Sequence, residues 1–121
     1  MKRVGIYIRV STEEQARIQE GSLVSQKNRL LDYVEFQNKR ESNWGTLVDT
    51  YCDEGKSAKN MKGCPEFLRM LTDIKTGRID LIVATELSRL NRNIKDFCEV
   101  WDLLKENKAS FVTLRVMPNS A

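Results

Sequence analysis

The sequence contains no histidine. That absence removes Ser-His-Asp and Cys-His catalysis and leaves serine, carboxylates, lysine, arginine, tyrosine and cysteine as candidate reactive groups. Cysteine is scarce too: Cys52, Cys64 and Cys98 are odd in number and form no CxxC pair. This argues against a zinc site or a disulfide framework and suits a reducing cytoplasm. No run approaches the roughly 18 apolar residues that a bilayer crossing needs. The start, Met1-Lys2-Arg3-Val4-Gly5-Ile6-Tyr7, lacks the apolar segment of a secretory signal. There are no internal repeats, no low-complexity tract and no GxxxxGKS or GxxxxGKT phosphate loop. A cytoplasmic protein without membrane contact is expected.

What remains is enough for one domain: 121 residues, 40% hydrophobic and 31% charged. The net charge of +3 fits a solvated surface as well as a nucleic-acid face, so charge alone selects no partner. Residues 3–10 alternate, with Val4, Ile6, Ile8 and Val10 on one face and Arg3, Gly5, Tyr7 and Arg9 on the other, as in a strand. Leu23, Leu30, Leu31, Val34 and Tyr33 mark a helix over about 23–38 that Ser22 can cap. Residues 46–52 read as a second strand and residues 53–63, polar and lysine-rich, as a loop. Pro65 opens a helix with Phe67, Leu68, Leu71 and Ile74 on its apolar face, ending near Gly77. Residues 80–84 resemble a buried parallel strand. Asn93 can cap a helix with Ile94, Phe97, Cys98, Trp101 and Leu104 on one side, and residues 109–116 form a last strand. The order βαβαβαβ predicts an α/β domain in three layers, with a largely parallel central sheet of four to five strands.

Two clusters carry candidate chemistry. Tyr7, Arg9 and Ser11 follow a two-residue period at the end of the first strand, where α/β sheets bind ligands. A hydroxyl with a guanidinium one pleat away suits attack on a phosphodiester; the same pattern also fits a turn-capping serine beside a solvated arginine. The second cluster is Glu86-Leu87-Ser88-Arg89-Leu90-Asn91-Arg92. Arg89 and Arg92 are spaced to share one side of a helical turn, and paired guanidinium donors grip phosphate oxygens in a geometry lysine cannot supply. A basic turn before an amphipathic helix would look the same.

Read together, Tyr7-Ile8-Arg9-Val10-Ser11-Thr12 with Gln15, then Gln26, Asp53-Glu54-Gly55-Lys56-Ser57 and Ser88-Arg89-Leu90-Asn91-Arg92 resemble, in order and spacing, the serine site-specific recombinase family. The resemblance covers about residues 2–115 and is greatest to the catalytic domains of large serine integrases and transposon recombinases. It implies that Ser11 is the nucleophile and that Arg9, Arg89 and Arg92 are active-site arginines. Tyr7, Gln15, Gln26, Asp53 and Ser57 match supporting positions. It further implies double-stranded DNA as partner, a homodimer or tetramer in the full-length protein, a 5′-phosphoserine intermediate, and no metal, ATP or other cofactor. Lys56, Lys59 and Lys62 are candidate DNA-backbone contacts, although a solvated basic loop accounts for them equally.

Three features depart from the pattern. Ser88 stands where the family often has aspartate, which shifts attention to Asp53, Glu54 or Glu86 as carboxylates. Cys64 stands where an arginine is usual and reads as a small loop residue. The tail Val116-Met117-Pro118-Asn119-Ser120-Ala121 lacks the acidic pattern of the family, so a domain cut before the assembly helix and DNA-binding domains is expected, inactive by itself. A catalytically silent recombinase relative acting as an interaction module is the competing expectation. A flavodoxin-like binding domain ranks third, because residues 11–15 contain two acids and no glycine. Trp101 and Phe97 are expected to face the core.

Overall fold

The computed structural model describes residues 1–10, 23–54, 64–85 and 94–114. Four strands, β1 (Lys2–Val10), β2 (Gly45–Glu54), β3 (Leu81–Ala84) and β4 (Ser110–Thr113), form one sheet in the order β2-β1-β3-β4, every pair parallel. Between them run α1 (Leu23–Arg40), α2 (Pro65–Lys75) and α3 (Ile94–Glu106). The chain steps one way from β1 to β2, then back across β1 to β3 and on to β4. Right-handed crossovers therefore send α1 to one face and α2 and α3 to the other.

The two cores follow that division. Val4, Ile6, Ile8 and Val10 of β1 pack with Leu30 and Val34 of α1, Trp44, Leu81 and Val83. On the opposite face Tyr7, Tyr51, Ile82 and Ala84 pack with Phe67, Met70, Leu71 and Ile74 of α2 and Val100 and Leu104 of α3. The fold is thus the expected three-layer α/β domain, with four strands among the described residues.

Several sequence-based expectations need correction. Because β1 is a central strand covered on both sides, both of its faces are buried towards its end, Tyr7 being 0% and Arg9 3% exposed, so Arg9 is not the solvated arginine of the alternative reading. On α2 the buried stripe is Phe67, Met70, Leu71 and Ile74, while Leu68, a residue off that stripe, is 40% exposed. Among the described side chains of α3 the buried ones are Val100 and Leu104; Phe97 is half-buried, and Cys98 and Trp101 are exposed. Trp101 does not face the core. It stacks beside Phe97 and meets the Phe111 ring of β4 edge-on, beside the last strand of the sheet among the described residues. No helix among the described residues is long and apolar enough to cross a membrane.

Candidate functional site

In a parallel sheet all carboxyl ends lie along one edge. Strand order reverses at β1, so the crevice where such sheets bind ligands opens between the ends of β1 and β3. Val10 and Ala84 are the last residues of those strands. The two candidate blocks, Ser11-Thr12 and Ser88 to Arg92, follow them in sequence.

The register along this edge depends on one irregularity. Val4 pairs with Leu47, but Gly5 pairs with Asp49, so Val48 is extra in β2. Beyond this bulge Tyr7 pairs with Tyr51 and Arg9 with Asp53. Gly5 leaves room for the crossing side chains: a methyl group there would lie 2.8 Å from Cε2 of Tyr51 and 2.9 Å from Cδ1 of Ile79.

From the sequence alone Asp53 reads as the start of a loop. It belongs to β2, which the ladder to Arg9 and Val10 extends through Glu54. It is 1% exposed, and its carboxylate is a junction of three donors. The Tyr7 hydroxyl donates to Oδ2 at 2.7 Å, the Phe67 N–H donates to Oδ2 at 3.0 Å, and the Glu66 N–H donates to Oδ1 at 3.0 Å. These two amides are orphan donors in the first turn of α2. Cys64 occupies the N-cap position without a side-chain capping bond, and Pro65 follows it. Asp53 therefore caps α2 from a neighbouring strand, its negative charge set against the positive end of the helix. Cys64 is not a surface loop residue: it is buried, and it packs in the same core cluster as Tyr7 and Phe67.

The Tyr7 phenol is pushed well above the ordinary tyrosine value, first by burial and then by its hydrogen bond to Asp53. It is a fixed donor, and its ring meets that of Phe67 edge-on at 5.2 Å. With three donors on Asp53, one of them the Tyr7 hydroxyl, this pair ties β1 and β2 to the first turn of α2. The Arg9 side chain is buried beside that assembly, one pleat beyond Tyr7 and opposite Asp53 in the register. On the other face Gln26 of α1, 1% exposed, donates from Nε2 to the carbonyl of Arg9 at 3.1 Å. Gln26 thus anchors the strand end immediately before Ser11, and its described contact is with the backbone of Arg9.

Four of the sequence-predicted residues, Tyr7, Arg9, Gln26 and Asp53, come together at the carboxyl ends of β1 and β2. Ser11, Gln15, Ser57, Lys56, Lys59, Lys62, Arg89 and Arg92 lie outside the described residues. Sequence reasoning missed the capping of α2 by Asp53; its faint signal was a helix opening Cys64-Pro65 with no capping oxygen of its own. It also missed Thr85, buried just past β3. A cavity of about 310 Å³ is lined by Phe97, Cys98, Trp101 and Asp102 of α3, and none of the candidate residues lines it. Among the described residues no cluster of three or more His, Cys, Asp or Glu side chains is arranged to hold a metal.

Residues 4–120 match the family described as Resolvase, N terminal domain, and the chain belongs to that family of serine recombinases. Across 77 residues it is 46% identical to "Uncharacterized immunity region protein 3" of Bacillus phage phi105, a match covering 63% of this chain and 83% of that protein. Its fold is similar to the N-terminal catalytic domain of TP901-1 integrase, with TM-score 0.80 and 32% identity over 93% of this chain and 78% of the other. It is likewise similar to a resolvase family site-specific recombinase from Streptococcus pneumoniae, with TM-score 0.74 and 28% identity over 94% of this chain and 72% of the other.

Proposed function

We propose that this domain is the catalytic unit of a DNA site-specific recombinase, with Ser11 as nucleophile and Arg9, Arg89 and Arg92 as its phosphate-binding cations. The observation that carries the reading is the buried Arg9 at the carboxyl edge, held in a capped and hydrogen-bonded frame two residues before Ser11. A guanidinium withdrawn from water at that place is a preorganised donor for an anion, and such donors act most strongly where water is excluded.

In the proposed reaction Ser11 Oγ loses its proton and forms a bond to the scissile phosphorus. The bond from phosphorus to the 3′ oxygen breaks, and that oxygen takes up a proton. The product is a 5′-phosphoserine and a free 3′-hydroxyl. Attack by the 3′-hydroxyl of an exchanged strand reverses these steps and releases the serine. One phosphodiester bond is exchanged for another, so the cycle needs no ATP. The arginines neutralise charge gathering on the non-bridging oxygens, each contributing about 3–4 kcal/mol, or on the order of 10²–10³ in rate. Tyr7, Asp53 and Gln26 hold the frame, with Gln15 and Ser57 as further supports. Lys56, Lys59 and Lys62 contact the DNA backbone. Each serine joins one strand, so exchange between two duplexes calls for four copies, assembled from dimers.

The test is a nicked duplex carrying the recombination site, incubated with the recombinase that bears this domain. Wild type is expected to accumulate a denaturation-resistant protein–DNA adduct and Ser11→Ala none. Adduct undiminished in Ser11→Ala refutes the assignment.

A further inference from the structure

The residue that follows β3 is Thr85. It is 1% exposed, and its hydroxyl has no hydrogen-bond partner among the described residues. The four residues before it, Leu81, Ile82, Val83 and Ala84, are all apolar and buried. The strand is held on both sides: Val4, Gly5 and Ile6 pair with Leu81, Ile82 and Val83, and the Leu114 N–H donates to the Ala84 carbonyl at 3.1 Å. Thr85 is therefore fixed where the rigid sheet gives way to the crevice.

A buried hydroxyl without a partner lowers stability, and valine has the same branched shape without that penalty. Local packing thus favours valine at this position, and threonine answers to a different state of the molecule. Its place identifies that state. Thr85 closes the strand on one side of the crevice, as Val10 does on the other, and Arg89 is only four residues further on.

Building on the recombinase reading above, we propose that Thr85 is a positioning residue of the strand-transfer site, whose hydroxyl gains its hydrogen bond when DNA occupies the crevice between the ends of β1 and β3. It acts through the wall of the crevice, fixing it against the sheet, and does not touch the reacting atoms. The hydroxyl is poorly satisfied in the free domain and satisfied in the DNA complex, so its contribution appears in DNA binding and not in folding.

Three proteins test this: wild type, Thr85→Val and Thr85→Ser. Free Thr85→Val is expected to unfold at the wild-type temperature or a few degrees higher. It should bind duplex about tenfold more weakly, the scale of one hydrogen bond, and form the Ser11 adduct correspondingly more slowly at duplex concentrations below the dissociation constant. Thr85→Ser, which keeps the oxygen, should restore the adduct rate. A Thr85→Val protein that forms adduct at the wild-type rate at those concentrations overturns the proposal, as does one that slows only in step with a lowered melting temperature. An independent reading uses the Thr85 methyl resonance in Ser11→Ala protein, which should move when the recombination-site duplex is added. A resonance unmoved by bound duplex overturns the role of Thr85 even where wild type forms adduct. Absence of adduct from wild type with that resonance shifting instead refutes Ser11 chemistry and keeps the Thr85 contact.

Discussion

Replacing Asp53 by asparagine tests whether one carboxylate joins β1, β2 and α2. Asparagine is nearly isosteric but keeps a single acceptor oxygen and adds an amide that only donates. With its oxygen in the place of Oδ2, it still accepts from Phe67 N and the Tyr7 hydroxyl, while the amide faces the Glu66 N–H, donor against donor. Turned over, it satisfies Glu66 and confronts Phe67. Either way one helix N–H loses its partner at a cost of about 1–3 kcal/mol. Removing the negative charge from the helix N-terminus adds about 0.3–2 kcal/mol. The combined loss is about 3 kcal/mol, which lowers Tm by roughly 10–15 °C in a chain of this size. Tyr7→Phe keeps the ring contact with Phe67 and leaves both amides on Asp53, so its cost is about 1.5 kcal/mol. Urea unfolding of wild type, Asp53→Ala, Tyr7→Phe and their double variant forms a cycle in which each single change removes the Tyr7–Asp53 bond, and the pair should couple by about 1–2 kcal/mol. Amide hydrogen exchange at Glu66 and Phe67 should accelerate in Asp53→Asn. A melting temperature within about 2 °C of wild type, or costs that simply add, would refute the junction.

Alkaline stability follows from Tyr7 and Tyr51, whose phenols burial and the hydrogen bonds to Asp53 and Asp73 push upward. The folded state keeps protons that the unfolded chain releases above about pH 10. Stability is therefore whole below that pH and falls by about 1.4 kcal/mol per unit above it for each tyrosine. Tyr7→Phe should make the alkaline limb of a pH–stability curve shallower by one proton, and an unchanged slope would count against it. On the acid side, Arg69 holds the carboxyls of Asp49 and Glu66 below their ordinary values. Their contribution is present above the usual carboxylate range and lost as pH falls through the folded values, so Arg69→Met should flatten acid unfolding. Gly5→Ala should lose about 1–3 kcal/mol by overpacking against Tyr51 and Ile79, and a variant melting like wild type would show that the two side chains yield freely.

Much of the framework was legible because local signals and burial agree. The alternation of β1, the apolar run of β3, Pro65 at the start of α2 and Gly77 at φ 79° just after its end are each set by neighbours in sequence. The errors fall where distant partners decide. Asp53 and Glu54 look like the start of a polar loop, yet pairing with Arg9 and Val10 extends the strand through them. Leu68 and Trp101 look like core residues by hydropathy. Each lies beside, not on, the stripe its helix buries, and Trp101 borders β4, the last strand of the sheet among the described residues. Capping of α2 from β2 leaves only a missing capping oxygen at Cys64 as its local trace, because donors and acceptor are 13 and 14 residues apart.

The Val48 bulge shows how far such long-range choices reach into chemistry. In an unbroken ladder continuing from Val4 and Leu47, Tyr7 would pair with Thr50 and Arg9 with Cys52. Side chains alternate every residue, so a slip of one turns a whole strand over. Tyr51 and Asp53 would then face α1, and the first turn of α2 would lose its acceptor. The extra residue reverses that parity: Val48 packs into the core beneath α2 and α3, and every later residue of β2 changes sides. The buried guanidinium of Arg9, the carboxylate opposite it and the helix N-terminus that carboxylate caps are thus brought together by a single unpaired position some five residues upstream. Under the proposed assignment, the block resembling the family at Asp53 to Ser57 serves Ser11 only if that register is kept. The sequence carrying the chemistry and the sequence aligning it are therefore different stretches of the same strand.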